Sequence, residues 1–304
     1  MGRYLARRLL TLIPAWFGVT LLAFFFVHSI PGGPFDTGAV RPPATTALLE
    51  AHYHLNKPLP LQYLLYMRNV LTGDLGASIV EPGLRVSTII TQRFPTSAEL
   101  GAAALVVAFG IGIPLGLIAA VRRNQIADRL VMVGATIGYA IPNFVLSILF
   151  ILILGLRFHL FPLGGWGRPS QVVLPALALG LPWASFIARL TRASVIETLQ
   201  QDYVRTARAK GAGPNRVVVH HAFRNALMPV TTVSALLIAE LITGSLVIES
   251  LFSIPGMGQY LTNSVLGSDY TMTLGLIIFY ATLLLAANVV VDVAYLWLDP
   301  RVRY

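Results

Sequence analysis

The residues able to do chemistry in this chain are few and badly placed for catalysis. Only two of its 304 residues are lysine, Lys57 and Lys210. Neither stands in the Gly-Lys-Ser/Thr order that lets backbone amides and a lysine cradle a nucleotide's phosphates. The six histidines are scattered, with no His-Glu-x-x-His, and there is no Gly-x-Ser-x-Gly turn to present a nucleophilic serine. His220 and His221 are adjacent, so on a helix their side chains diverge by about 100° and cannot share a ligand. Cysteine is absent, which excludes disulfides, thiolate metal sites and cysteine nucleophiles together. No catalytic or metal-ligating residue and no bound cofactor is assigned.

The richest polar segment is mechanical in character. It runs Asp202, Tyr203, Val204, Arg205, Thr206, Ala207, Arg208, Ala209, Lys210, Gly211. Its alanines favour a helix, Gly211 and Gly213 interrupt it, and Pro214 suits the first position of a second helix. A helix–turn–helix that protrudes is the expectation. Three acidic residues fall in or beside apolar blocks: Glu240 near the middle of the fifth, Glu249 at its end and Asp292 in the sixth. An ionised side chain at a bilayer's centre costs about 2.5 to 3.5 kcal/mol on the insertion scale, so each needs a cavity or a partner. For Glu240 a water-filled cavity and an interhelical hydrogen bond both remain open; Asp292, four residues after Asn288, suits a packing hydrogen bond. Gly116, Gly134 and Gly138 suit close helix contacts.

These residues must be positioned by membrane helices. The chain is 56% hydrophobic and 12% charged, with a mean hydropathy of +0.72, against about 25% charged residues in a soluble domain. Apolar blocks near 9–30, 98–121, 131–155, 172–190, 228–248 and 273–298 each approach the ~20 residues that cross a hydrocarbon core. The first block follows Arg3, Arg7 and Arg8 but is too long for a signal peptide and lacks its cleavage site, so it is expected to be a retained span. Pro114, Pro175 and Pro182 are expected to kink their helices without breaking them.

Positive charge orients the bundle, because basic loops resist translocation. Fifteen of the 22 Lys and Arg fall on one side, at the two termini, at Arg122, Arg123 and Arg129, and in the segment 189–226. Both termini and 189–226 are therefore expected in the cytoplasm. The net charge of +9 is explained by these anchors and gives no reason to invoke nucleic acid. The long segment 31–97 is expected outside; within it, apolar residues at Leu61, Leu64, Leu65, Val70 and Leu71 predict a surface helix over 59–71. No internal repeat appears, and 1–304 is taken as one transmembrane domain.

Arg205-Thr-Ala207, Gly211 and Asn225-Ala-Leu-Met-Pro229 resemble the coupling loop of ABC importer permeases, in the form used by the peptide-transporting branch. Similar to that branch too are Ile30-Pro-Gly-Gly-Pro34, Leu55 to Tyr63, Gly73-Asp-Leu-Gly-Ala-Ser78, Glu249 to Gly258, and Asp299-Pro-Arg-Val-Arg303. Leu261-Thr-Asn-Ser264 and Asp269-Tyr-Thr-Met272 lean towards oligopeptide transporters.

The resemblance implies an all-α, six-span permease of the type I ABC importer kind in a bacterial or archaeal inner membrane. It implies a heterodimer with a second permease, two cytoplasmic ATP-binding subunits that use ATP and Mg, and an extracytoplasmic binding protein that delivers oligopeptides or dipeptides to surfaces within 31–97 and 252–272. The alternative cargo is nickel or another small solute. Asp202, Tyr203, Arg205, Thr206, Ala207, Arg208, Ala209, Lys210, Gly211 and Pro214 are then expected to couple to the ATPases. Glu240, Thr243, Glu249, Pro255 and Gly256 are expected to line the path or its outer gate.

Overall fold

The computed structural model describes residues 2–30, 55–81, 83–213 and 216–298. Twelve α-helices make up the architecture of these residues, with one isolated antiparallel bridge between Ala77 and Arg85. Five helices are long and apolar enough to cross a membrane unbroken: α1 (Gly2–His28), α3 (Val86–Val121), α6 (Pro169–Thr198), α9 (Met228–Ile242, preceded by the short α8, Phe223–Ala226) and α12 (Tyr270–Leu298). A bent pair supplies the sixth span: α4 (Ile126–Ala140) and α5 (Asn143–Phe150), which continues as wider π-helical turns over Ile151–Arg157. The predicted surface helix is present as α2 (Leu59–Leu71).

Two apolar blocks are broken where the sequence predicts a single helix, and α3 starts at Val86, well before the expected block. The third apolar block is not one straight helix: α4 and α5 meet at 103°. Pro142 has no N–H to continue the ladder, and it forces Ile141 into an extended conformation (φ −81°, ψ 123°). Pro95 and Pro114 inside α3, and Pro175 and Pro182 inside α6, leave their helices continuous. The fifth block also stops early. Helix α9 ends at Ile242, and Gly244 turns the chain with a φ of +82° into the short α10 (Leu246–Leu251). Glu240 therefore sits at a helix end and not mid-span, and Glu249 belongs to a separate element.

The frame is the seam between α3 and α6, the most extensive helix contact in the molecule. Small residues let the two backbones approach. A Cβ at Gly116 would lie 2.5 Å from the Ala188 carbonyl oxygen, and one at Gly180 would lie 2.6 Å from that of Ala104. Without a hydrophobic drive between helices in lipid, such close van der Waals contact is what holds a pair together. Gly138 also meets a neighbour, Ser185 of α6, but Gly134 faces open space and makes no close helix contact among the described residues. Large apolar side chains such as Leu22, Val106, Leu130 and Val290 point outwards, as they must where the surroundings are lipid.

Candidate coupling and gating sites

The two ends of the bundle can be told apart by connectivity. At the start of α6, the Gly165 amide donates to the carbonyl of Phe252, next to α10 (2.7 Å). Thirty residues later, about 45 Å along the axis, α6 delivers the chain to α7 (Asp202–Ala209). One end therefore carries α7, and the other carries α10, α11 (Met257–Leu266) and the bridge region 76–85.

Helix α7 ends in a Schellman arrangement. The Ala212 amide donates to the Ala207 carbonyl (3.1 Å), the Gly211 amide to that of Arg208 (2.9 Å), and Gly211 has a φ of +83°. Val204 is fully buried beneath the helix, while Asp202, Tyr203, Arg205, Thr206 and Arg208 to Gly211 are exposed. Asp202 and Arg205 form an exposed ion pair at 3.5 Å. The Asn225 side-chain amide donates to the Tyr203 hydroxyl (2.9 Å), tying α7 to α8. Tyr203, Thr206, Ala207, Lys210, Gly211, Ala212 and Arg216 surround a concavity of about 420 Å³. Nine of the ten predicted coupling residues are thus contiguous around one elbow; Pro214 lies outside the described residues.

Behind the elbow, Asp128 of α4 receives both Nε (2.5 Å) and Nη2 (2.8 Å) of Arg192 in α6. The carboxylate also accepts the Asn124 amide (2.9 Å). A two-pronged pair of this kind, with its carboxylate buried and its guanidinium partly exposed, is the strong class of ion pair, and it fixes α4 against α6.

At the far end, Glu249 is fully buried and acts as a helix cap. The first two amides of α11 are orphan donors by geometry. Met257 N donates to Ser97 Oγ of α3 (3.0 Å), and Gly258 N donates to Glu249 Oε2 (2.7 Å). The negative end of the carboxylate also complements the helix dipole. The space around it exists because Gly244, Gly256 and Gly258 carry no Cβ; any of the three would meet a carboxylate oxygen. Oε1 has no hydrogen-bond partner among the described residues. Burial pushes the Glu249 carboxyl above its ordinary range, with the Ser97 hydroxyl and nearby backbone amides opposing that push.

The five predicted gate residues do not form one group. Glu249 and Gly256 are in contact and Pro255 joins them through the α10–α11 turn. Thr243 is buried and donates to the Glu240 carbonyl (2.6 Å). It borders an apolar groove of about 370 Å³ shared with Leu246, Tyr280 and Leu284. The Glu240 side chain is exposed and separate from the glycine-walled cluster. Asp292 falls where side chains lie outside the described residues.

Sequence reasoning missed three contributors: Ser97, the Asp128–Arg192 pair and Asp269. Asp269 accepts from the Ser78 hydroxyl and from the amides of Ile79 (3.2 Å) and Met272 (3.1 Å), which welds the bridge region to the first turn of α12. A serine and an acid separated by 191 positions leave no local signal. The acid two residues before Thr271, at the start of an apolar run, was a readable helix-start sign.

Comparison with known proteins fits this geometry. Residues 112–304 match the family model described as binding-protein-dependent transport system inner membrane component. The whole chain is 43% identical to the dipeptide transport system permease protein DppB of Bacillus subtilis, covering 98% of that protein. It is 39% identical to the oligopeptide transport system permease protein OppB of Escherichia coli, with both chains covered completely. Among solved structures, a chain of the MetNI methionine ABC transporter in an inward-facing conformation superposes with a TM-score of 0.56 at 20% identity. That match spans 68% of this chain and 95% of the other, a likeness of fold.

Proposed function

The chain belongs to the family of inner-membrane components of binding-protein-dependent transport systems, and from that premise we propose that it moves peptides across the membrane without chemical change to them. It is a permease subunit; ATP hydrolysis resides in separate subunits. The observation that carries the peptide assignment is end-to-end similarity to permeases named for dipeptide and oligopeptide transport, which favours peptides over nickel.

Residues 1–304 act as one transmembrane domain. The elbow around α7 and Gly211 lies in the cytoplasm with both termini, and it seats in an ATPase that uses ATP and Mg. A second, homologous permease pairs with this one, and two ATPases serve the pair. On the outer side, a binding protein delivers peptide to surfaces that include the 76–85 region and α11. Glu240 and Thr243 face the shared path, while the Glu249 cap sets the shape of the outer closure. The support for this arrangement is the basic end marked by α7, its exposure, and the distance from it to the capped α11.

Reconstitution tests the assignment. The chain, its companion permease, both ATPases and the binding protein are placed in liposomes with dialanine or tetra-alanine outside. ATP-dependent accumulation of either peptide is expected. Accumulation of nickel but neither peptide would overturn the assignment.

A further inference from the structure

A cavity of about 300 Å³ opens beside α11, at the end of the bundle opposite the elbow. Its walls come from the bridge region, from α3 and from α11, and they include Glu81, Arg93, Gln259, Tyr260, Asn263 and Asp269. Arg93 is the one cation of this lining among the described residues. Its guanidinium lies 5.2 Å from the centre of the Tyr260 ring and gives one long hydrogen bond, Nη2 to the Tyr260 hydroxyl at 3.3 Å. Its Nε is buried and has no hydrogen-bond partner among the described residues.

Stacking on a ring satisfies the face of a guanidinium and leaves its edge of N–H donors free. A buried donor without an acceptor is costly, and the planar fork fits a carboxylate better than any other acceptor. The two acids of the cavity do not serve it. Asp269 is committed to Ser78, Ile79 and Met272, and Glu81 is exposed and forms no ion pair with Arg93 among the described residues. The walls are also fixed in advance. Asp269 holds the bridge region to α12, while Ser97 and Glu249 hold the first turn of α11. The cavity lies inside one chain, and its volume is at the low end for small-ligand sites.

We infer that this cavity is a carboxylate-accepting subsite, with Arg93 as the recognising residue, and that its occupant is an acidic side chain of the extracytoplasmic binding protein. The inference rests on the peptide-importer assignment and on its orientation, and names the chemistry by which that partner is held. Charge complementarity selects the acid, and the position beside the outer helix α11 selects the partner over the cargo.

The test uses the complete importer in nanodiscs and the binding protein loaded with tetra-alanine. Arg93→Gln is expected to raise the Kd of the binding protein for the importer by about tenfold or more, the effect of losing a charge-assisted fork; Arg93→Lys should fall between. The preference for tetra-alanine over its C-terminal amide should stay unchanged. A Kd within twofold of wild type overturns the inference. So does an altered acid-to-amide preference with an unchanged Kd, since the carboxylate would then be the cargo's. Should Arg93→Gln fail to assemble, Asn263→Asp, which places a negative charge on the same wall, decides: a similar loss supports the subsite and an unchanged Kd overturns it. Failure of the wild-type complex to take up tetra-alanine would strike the peptide assignment itself, and is read before any variant is compared.

Discussion

The glycine-walled carboxylate yields a prediction that separates shape from charge. Glu249 occupies a space that exists only because three glycines surround it, and it supplies the acceptor for one orphan amide of α11. Glu249→Gln keeps the volume and keeps a carbonyl oxygen for Gly258, while removing the cost of burying an ionisable group. Glu249→Ala leaves the Gly258 amide buried without its acceptor, a penalty of about 1 to 3 kcal/mol, and opens a gap that rigid helices cannot close. Gly244→Ala forces a left-handed residue to carry a Cβ, about 1 to 2 kcal/mol, and drives that Cβ onto the carboxylate. The expected order of stability at neutral pH is Gln at or above wild type, then wild type, then both alanine variants about 2 to 4 kcal/mol lower.

Heating purified protein and following the folded fraction by size exclusion gives that order. The pH dependence has a definite sign. Burial raises the Glu249 pKa, so the folded state holds its proton more tightly than the unfolded chain does. The residue's destabilising contribution is therefore absent below its ordinary value of 4.5 and grows as pH rises above it. Comparing wild type with Glu249→Gln cancels every other acid effect, and the advantage of Gln should shrink as the pH is lowered from 7 towards 5. An alanine variant as stable as Gln, or a Gln advantage independent of pH, would refute the capping role.

Four other outcomes follow from the geometry. Gly211→Val should insert normally yet lose most peptide-stimulated ATP hydrolysis; a Cβ there meets nothing among the described residues, so within this chain the strain comes from the positive φ, and Gly211→Asn, which tolerates that φ, should retain more activity. Asp128→Asn leaves Arg192 without its two-pronged acceptor and should lower thermal stability by about 1 to 3 kcal/mol, measured by the same heating assay. Gly112→Val should force α3 from α6, because its Cβ would lie 2.6 Å from the Ala184 carbonyl oxygen; hydrolysis should continue while uptake falls. The chain has no cysteine, so single cysteines at 211 and 266 can be labelled with a membrane-impermeant maleimide in intact cells, and only the one at 266 should react.

The spans were legible because long apolar runs have one solution in lipid, helices that satisfy their own backbone. Their interruptions were not. Pro142 and Pro175 look alike in sequence, yet one ends a helix and the other is absorbed within α6. The difference lies in the packing of α6 on α3, which periodicity does not encode. The end of α9 had a local sign, Gly244 followed by Ser245, whose hydroxyl accepts from the Ile248 amide at 3.4 Å and starts α10. An unbroken apolar run obscured it. The elbow was readable because it is made of neighbours: nine residues, one of them a glycine with a required conformation. The Arg93–Tyr260 stack joins positions 167 apart, and only the folded chain brings them together.

Both sites hang on the same pair of helices, so the proposed coupling has a continuous physical route. The turn at Gly165, just before α6, is bonded to Phe252, and α6 leads into α7 at its end; α3 presents Ser97 to α11 at one end and packs Ala120 against Val195 and Ala226 at the other. If the seam between them were greasy and adjustable, a push on α7 would dissipate as sliding. Glycines and alanines at van der Waals distance from opposing backbone leave no such slack, since interiors packed at this closeness resist deformation and move as units. The Asp128–Arg192 pair adds α4 to the same body. On the proposed coupling role, a displacement at the elbow is expected to reach the Glu249 cap as rotation of a rigid lever about 45 Å long, with the bend at Pro142 and the turn at Gly244 as the places where the neighbouring elements yield to it.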